Sequence, residues 1–263
     1  MRISCIQLKS GENYIKNCEN AIRYIKESIK RKADFILTPE VTTIITKNKN
    51  LLNKYSFKMK NDPFLKEIKK ICKKNKKWIL IGSLAIKDRN FYRNRSVLIG
   101  PDGNIKKYYD KMKMFDIKLN NKEIHKESKT YKPGNKLVAA KLPWGNLGLT
   151  ICYDIRFPEI YRKLSKKKLN FISIPSAFTK ITGKKHWLTL LRARAIENFC
   201  YIFAPAQGGI HYNGRKTFGH SMIVSPDGKI LKELKKNEGV ITTIIDAKLP
   251  KVLRLKIPSL KGE

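Results

Sequence analysis

The segment RSVLIGPDGNIKKY, residues 95–108, returns 125 residues later as HSMIVSPDGKILKE, residues 220–233. Each copy reads as an apolar strand, a Pro-Asp-Gly turn and a second strand, the pattern of a hairpin. The duplication extends outward from there. DFILTPE (34–40) parallels NFISIPS (170–176), and WILIGSLA (78–85) parallels CYIFAPAQ (200–207). Each half is therefore expected to hold an edge strand, a helix, a buried strand ending in Pro, a second helix, another buried strand and the hairpin.

The buried strands are continuous apolar runs, which a sheet requires when helices cover it. Helices are expected over 13–31, 62–75, 157–168 and 186–199. In the first, apolar residues at 15, 21, 22, 25 and 29 form one stripe, with lysines on the other face. Two helix-backed sheets in one chain bury their remaining faces against each other. The expected fold is therefore α/β, a four-layer α-β-β-α sandwich built from two pseudo-repeated halves. No linker rich in Gly, Pro or Ser separates the halves, so residues 1–263 are expected to form a single domain.

A hydrophobic content of 41% excludes a disordered chain. No apolar run reaches the roughly 18 residues of a membrane span, and the start MRISCIQLKSGENY lacks a signal-peptide core. A cytoplasmic protein without a membrane partner is expected. The five cysteines (5, 18, 72, 152 and 200) are an odd, scattered set with no CxxC pair. That opposes a disulfide framework or a thiol-rich zinc site and fits a reducing compartment. No HExxH or phosphate loop occurs, so no metal and no cofactor are expected.

The formal charge of +36 invites a nucleic-acid reading. The lysines, however, lie in short scattered runs among many Ile and Asn, residues that share A/T-rich codons. No RNP, zinc-finger or GxxG motif accompanies them. Salt-sensitive adhesion to polyanions is expected, and specific nucleic-acid recognition is not.

GLTICYDIRFPEIYRKL, residues 148–164, changes from apolar strand to helix at Cys152. Strand-to-helix turns expose reactive side chains on a rigid support. Cys152 alone is equally compatible with a buried structural thiol. Glu40 closes the strand DFILTPE, either desolvated or turned to water. Lys111 in YYDKMKMFD has apolar and aromatic neighbours, unlike most lysines here, yet it reads also as one surface lysine of many. Glu127 precedes a turn signal and could be an ordinary loop carboxylate. The four histidines (125, 186, 211 and 220) leave a papain-like Cys–His pair as a competing reading.

Together these segments resemble the nitrilase superfamily of carbon–nitrogen hydrolases over nearly the whole chain. LTPE carries that family's glutamate, YDKMKMFD its lysine, KESKTYKPG its second glutamate and ICYDIRFPE its cysteine elbow. ITGKKHW, LLRARAIEN, GHSMIVSPDG and RLKIPSL match as well. The resemblance implies the four-layer fold, a homodimer or higher homo-oligomer with the helix after the cysteine at its interface, and a small-molecule amide substrate. It also implies that Cys152, Glu40 and Lys111 are catalytic. Glu40 would then take the thiol proton, and Glu127 would orient Lys111. Lys111 would favour thiolate and stabilise the oxyanion, with the backbone N–H of Tyr153 as second donor.

Within the superfamily the chain resembles the Nit branch. AQGGIHYNGRKTFGHSM (206–222) is similar to the loop of deaminated-glutathione amidases, where a later Arg precedes GHS. Omega-amidases more often show an S-P-A-R type segment there. Arg156 and Thr182 match family positions that bind the carboxylate end; a structural pair of Arg156 with Asp154 or Glu159 is the alternative. One departure stands out: Lys113 replaces the family's usual histidine.

Overall fold

A computed structural model of the chain describes residues 1–118, 124–212 and 214–260. The first half holds β1 (Arg2–Gln7), α1 (Tyr14–Lys30), β2 (Phe35–Leu37), α2 (Lys49–Tyr55) and α3 (Pro63–Asn75). It continues with β3 (Trp78–Asp88), β4 (Phe91–Ile99) and β5 (Ile105–Asp110). A small hairpin, β6 (Asp116–Lys118) and β7 (Ile124–Lys126), leads on. The second half holds β8 (Val138–Leu142), β9 (Gly145–Leu149), α4 (Pro158–Ser165), β10 (Leu169–Ser173), α5 (Lys180–Asn198) and β11 (Tyr201–Ala204). A further hairpin, β12 (Gly208–Ile210) and β13 (Lys216–Phe218), precedes β14 (Ser221–Val224) and β15 (Ile230–Leu234). The remaining elements are β16 (Gly239–Ile244) and α6 (Leu249–Lys256).

Two six-stranded sheets result, ordered β16-β1-β2-β3-β4-β5 and β15-β14-β11-β10-β9-β8. In each, two neighbouring pairings are parallel and the other three antiparallel, so β5 runs in the same direction as β1–β3, and β15 as β9–β11. The duplicated segments fall on equivalent strands: β2 and β10, β3 and β11, and the hairpins β4–β5 and β14–β15. Both hairpin turns depend on glycine, because Gly103 and Gly228 sit at φ +80° and +84°. Their N–H groups close the turns onto Gly100 O and Ser225 O, each at 2.9 Å.

The strand that leads into the first helix of each half, β1 and β9, is not an edge, contrary to expectation. β16 pairs with β1 over six residues, and β8 pairs with β9. β1 is buried from Ile3 to Gln7, and a buried strand needs ladder partners on both sides to satisfy its amides.

Apolar side chains from both sheets meet in one core, where the Phe35 and Phe203 rings pack edge-on at 6.3 Å. On the outer face of the first sheet, Ile25 of α1 and Ile68 and Cys72 of α3 cover Ile36, Ile79 and Ile99. Ile160 and Leu164 of α4 and Trp187 and Leu191 of α5 join the second sheet, which completes the four layers. The buried stripe of α1 runs through Tyr14, Asn17, Ala21, Tyr24, Ile25 and Ser28, and Ile15 is 62% exposed instead of lying on it. α5 starts at Lys180, six residues before its expected start. The Thr179 side chain caps it, and Gly183, a weak helix former, lets the helix approach the Phe218 ring too closely for any Cβ. Among the described residues no helix is long and apolar enough to cross a membrane.

Candidate active site

The strands β2, β5, β9 and β10 all exit toward one region, and each exit delivers a polar group. Glu40 lies three residues past β2, Lys111 one past β5, Cys152 three past β9 and Ala177 four past β10. Parallel strand ends gather functional groups in this way because the sheet fixes where each loop starts.

Lys111 is the hub. Its ammonium donates to Glu40 Oε1 at 2.9 Å and to Glu127 Oε2 and Oε1 at 2.8 and 3.0 Å. Asn94 on β4 spans the same two acids, its amide donating to Glu40 Oε1 at 2.9 Å and Glu127 Oε1 at 3.0 Å. Backbone donors complete both carboxylates: Ala177 N–H to Glu40 Oε2 at 2.7 Å, and Phe115 N–H to Glu127 Oε2 at 2.7 Å. The Ala177 bond ties the two halves together at Glu40.

Cys152 opens a single 3-10 turn, Cys152–Arg156, with φ +48°. That region is sparsely populated by residues other than glycine, and it turns the side chain sharply out of the strand direction. The Cys152 N–H is anchored to Pro175 O at 3.0 Å, and its thiol feels the negative charge of the nearby Glu40 carboxylate.

Burial pushes the Glu40 carboxyl up, but the Lys111 ammonium and its hydrogen bond hold it below the usual range. Desolvation works against the Lys111 ammonium, yet Glu127 and Glu40 keep it charged far above the ordinary lysine value. Burial and then the Glu40 charge push the Cys152 thiol up by more than Lys111 pulls it down. The Cys152 side chain is therefore a neutral thiol. Lys111 does favour the thiolate, as expected, but burial and then the Glu40 charge outweigh it.

A cavity of about 220 Å³ is lined by Glu40, Lys111, Glu127, Cys152 and Tyr153. Phe115, Tyr131 and Phe178 supply apolar wall, and Lys47, Lys126 and Arg215 add cations. Arg215 follows β12, and its guanidinium donates to Ala177 O at 3.0 Å. Arg156 and Thr182 stand outside this wall. Arg156 lies over the Phe178 ring at 5.2 Å and meets His186 Nδ1 at 3.2 Å. The Thr182 hydroxyl meets Thr179 Oγ1 at 2.8 Å, inside the cap of α5.

The carbon-nitrogen hydrolase family pattern matches residues 2–253. The chain belongs to the carbon-nitrogen hydrolase family. This hydrolase is 36% identical over 265 residues to the deaminated glutathione amidase of Yersinia enterocolitica, covering 98% of this chain and 91% of that protein. The deaminated glutathione amidase of Synechocystis is 34% identical over 264 residues, covering 98% and 96%. The crystal structure of the C. elegans NitFhit protein superposes with a TM-score of 0.93 at 33% identity; it covers the whole of this chain, which spans 64% of that protein. Saccharomyces cerevisiae Nit3, a member of branch 10 of the nitrilase superfamily, gives 0.87 at 25% identity, with 100% and 96% covered.

Of the four histidines His125 lines the cavity, His186 meets Arg156, and two are engaged elsewhere. His211 bonds Ser10 O and Thr217 Oγ1, both at 2.6 Å, and His220 bonds Glu233 at 2.5 Å. Lys113, where the resemblance expects a histidine, turns its ammonium over the Phe157 ring at 4.5 Å and lies outside the cavity wall. Two wall residues escaped the reading of the sequence. Asn94 adjoins the duplicated hairpin, and an amide between two arginines in an otherwise apolar strand was its one signal. Arg215 was visible only as an arginine ahead of GHS. Among the described residues no three His, Cys, Asp or Glu side chains are grouped to hold a metal.

Proposed function

We propose that the protein is a thiol-dependent amidase that hydrolyses deaminated glutathione through a cysteine acyl-enzyme. The observation that carries the chemistry is the buried Glu40–Lys111–Glu127 network beside the Cys152 thiol. An amide is a poor electrophile, and a covalent intermediate divides its hydrolysis into two easier steps. Cys152 Sγ bonds the amide carbon while its proton passes to Glu40. Lys111 and the Tyr153 N–H stabilise the oxyanion. Glu40 then protonates the departing amine as the C–N bond breaks. In the second step Glu40 takes a proton from water, the hydroxide attacks the thioester, and the returned proton restores the thiol. Glu127 holds Lys111 in line throughout.

The substrate assignment rests on the names of the relatives and on the cationic wall. The acid released is a 2-oxo dicarboxylic acid, so its far end is a carboxylate. Arg215 is the guanidinium in the cavity wall and offers the planar fork such a group prefers. Arg156 and Thr182, set behind Phe178 and Thr179, act by shaping that wall. The decisive assay compares kcat/KM for deaminated glutathione and for 2-oxoglutaramate on one preparation. A higher value for deaminated glutathione is expected. A higher value for 2-oxoglutaramate makes the protein an omega-amidase, and hydrolysis of neither overturns the amidase reading.

The working unit is a cytoplasmic homodimer of a single catalytic domain, residues 1–263. The absence of disulfides among the described cysteines supports a reducing compartment. Ile181, Leu188 and Ile196 are exposed on α5, the second helix after the cysteine, and support a covered apolar face. Sedimentation velocity of Leu188→Lys against wild type tests it: a dimer that persists in the variant removes this face from the interface.

A further inference from the structure

Asp154 is fully buried two residues past the nucleophile, and the chemistry above does not use it. Its carboxylate accepts three hydrogen bonds from two separate segments. Oδ2 accepts the Ile151 N–H at 2.9 Å and the Tyr109 hydroxyl at 2.7 Å, and Oδ1 accepts the Lys113 N–H at 2.9 Å. Ile151 immediately precedes Cys152, while Tyr109 and Lys113 lie two residues to either side of Lys111. The Tyr109 oxygen in turn accepts the Met112 N–H at 3.3 Å. One carboxylate thus grips the exit of β9 in one sheet and the exit of β5 in the other.

We propose that Asp154 is a positioning residue of the hydrolysis, clasping the Lys111 segment to the Cys152 elbow and setting the spacing of ammonium and thiol. The proposal rests on the reading of Cys152 and Lys111 as reacting groups. Nothing in the apolar contact between the sheets fixes that spacing, because apolar packing is non-directional. The elbow at φ +48° also needs outside restraint to persist. A carboxylate suits both tasks: it only accepts, and here it meets three donors. Burial pushes its carboxyl up to about 6 against the pull of those donors, so it is ionised at neutral pH.

Two near-isosteric variants test the clasp. Asp154→Asn keeps the shape but turns an NH2 toward a donor, so one arm must open. Tyr109→Phe removes only the hydroxyl arm and spares the elbow. A misplacement of about 1 Å costs roughly 100-fold in turnover. Asp154→Asn should therefore lose about 100-fold in kcat and Tyr109→Phe about tenfold, each with KM within about twofold. Alkylation of Cys152 by iodoacetamide, followed by peptide mass spectrometry, should slow in the same order. This readout needs no amide substrate, so it separates failure of the clasp from failure of the substrate assignment. A merely structural aspartate would lower the melting temperature and leave kcat and alkylation untouched in the folded fraction. That result in either variant overturns the proposal, and if Asp154→Asn does not fold, Tyr109→Phe decides alone.

Discussion

Lys111 Nζ and Glu40 Oε1 lie 2.9 Å apart, joining residues 71 positions apart in the chain, and both side chains are buried. The Glu40 carboxylate, the base of the proposed chemistry, is thus charged and compensated before any substrate arrives. Glu127, on the other side of the ammonium, makes Lys111 the one cation between two acids. The arrangement resists protonation of the base, and it makes the lysine costly to lose.

Lys111→Met should abolish turnover and also destabilise the fold. Breaking a buried ion pair by removing one partner costs about 3–5 kcal/mol. The two facing carboxylates can escape part of that cost by taking up a proton, so the penalty should be smaller at pH 5 than at pH 8. Urea unfolding at both values reads it, and equal midpoints for variant and wild type would mean that the pair contributes nothing to stability.

Cys152→Ala should be inactive and folded, since it removes one small side chain from a turn. Cys152→Ser should also be nearly inactive, because the ionised Glu40 is far too weak a base for an alcohol. Wild-type-like hydrolysis by either, with the fold checked by circular dichroism, would sink the covalent mechanism.

Asn94 donates to both acids, and hydrogen bonds to charged groups contribute about 1.5–3 kcal/mol each. Asn94→Ala should lower kcat by about 10- to 100-fold, because Glu40 and Glu127 lose their shared donor. Asn94→Asp should be worse, adding a third carboxylate to the cluster. If Asp is tolerated as well as Ala, the amide is filling space only.

Arg215 and Arg156 divide cleanly by position, one in the cavity wall and one behind the Phe178 ring. Arg215→Met should lose about 30- to 1,000-fold in kcat/KM, roughly 2–4 kcal/mol, and Arg215→Lys less, since it keeps charge without the fork. Arg156→Met should mainly lower the melting temperature. Kinetics on the same preparations decide, and the reverse pattern would return the carboxylate site to Arg156.

His211 is buried between Ser10 and Thr217, and desolvation lowers its pKa to about 4. The unfolded chain protonates its imidazole at the ordinary value near 6.5, so acidification favours unfolding between those limits. The gap corresponds to about 3 kcal/mol, fully retained above pH 6.5 and lost as pH falls toward 4. Asp62 and Asp154, both pushed up to about 6, work in the opposite sense over part of that window. The test is therefore the difference in unfolding free energy between wild type and His211→Gln, which should shrink on acidification; a constant difference removes the histidine from the linkage.

The duplicated segments made the two sheets legible, because strands buried on both faces leave long apolar runs. What covers β1 and β9, the strands leading into the first helix of each half, was not legible: β16 is a short run like many others, and only the burial of β1 shows that a partner is required. The thiol, the base and the lysine stood out by their abrupt change of residue type. Asn94 and Arg215 did not, since a polar residue on a strand or hairpin acquires meaning only from what the other half brings against it. Arg156 shows the converse limit. Four residues past the cysteine seems near in sequence, but the 3-10 turn carries its guanidinium behind an aromatic ring.

The pairing of β16 with β1 also has a bearing on how the protein is made. A ribosome delivers Arg2–Gln7 before the whole of the second half and Gly239–Ile244 after it, so the first sheet cannot close until the second half has been made. Until then the nascent chain carries a ready-made β1 edge with its amides unpaired, open to strands of neighbouring chains. A truncation before Gly239 would leave that edge permanently open, and such a fragment should depend on chaperones or precipitate even though every residue of the Cys152 site is present.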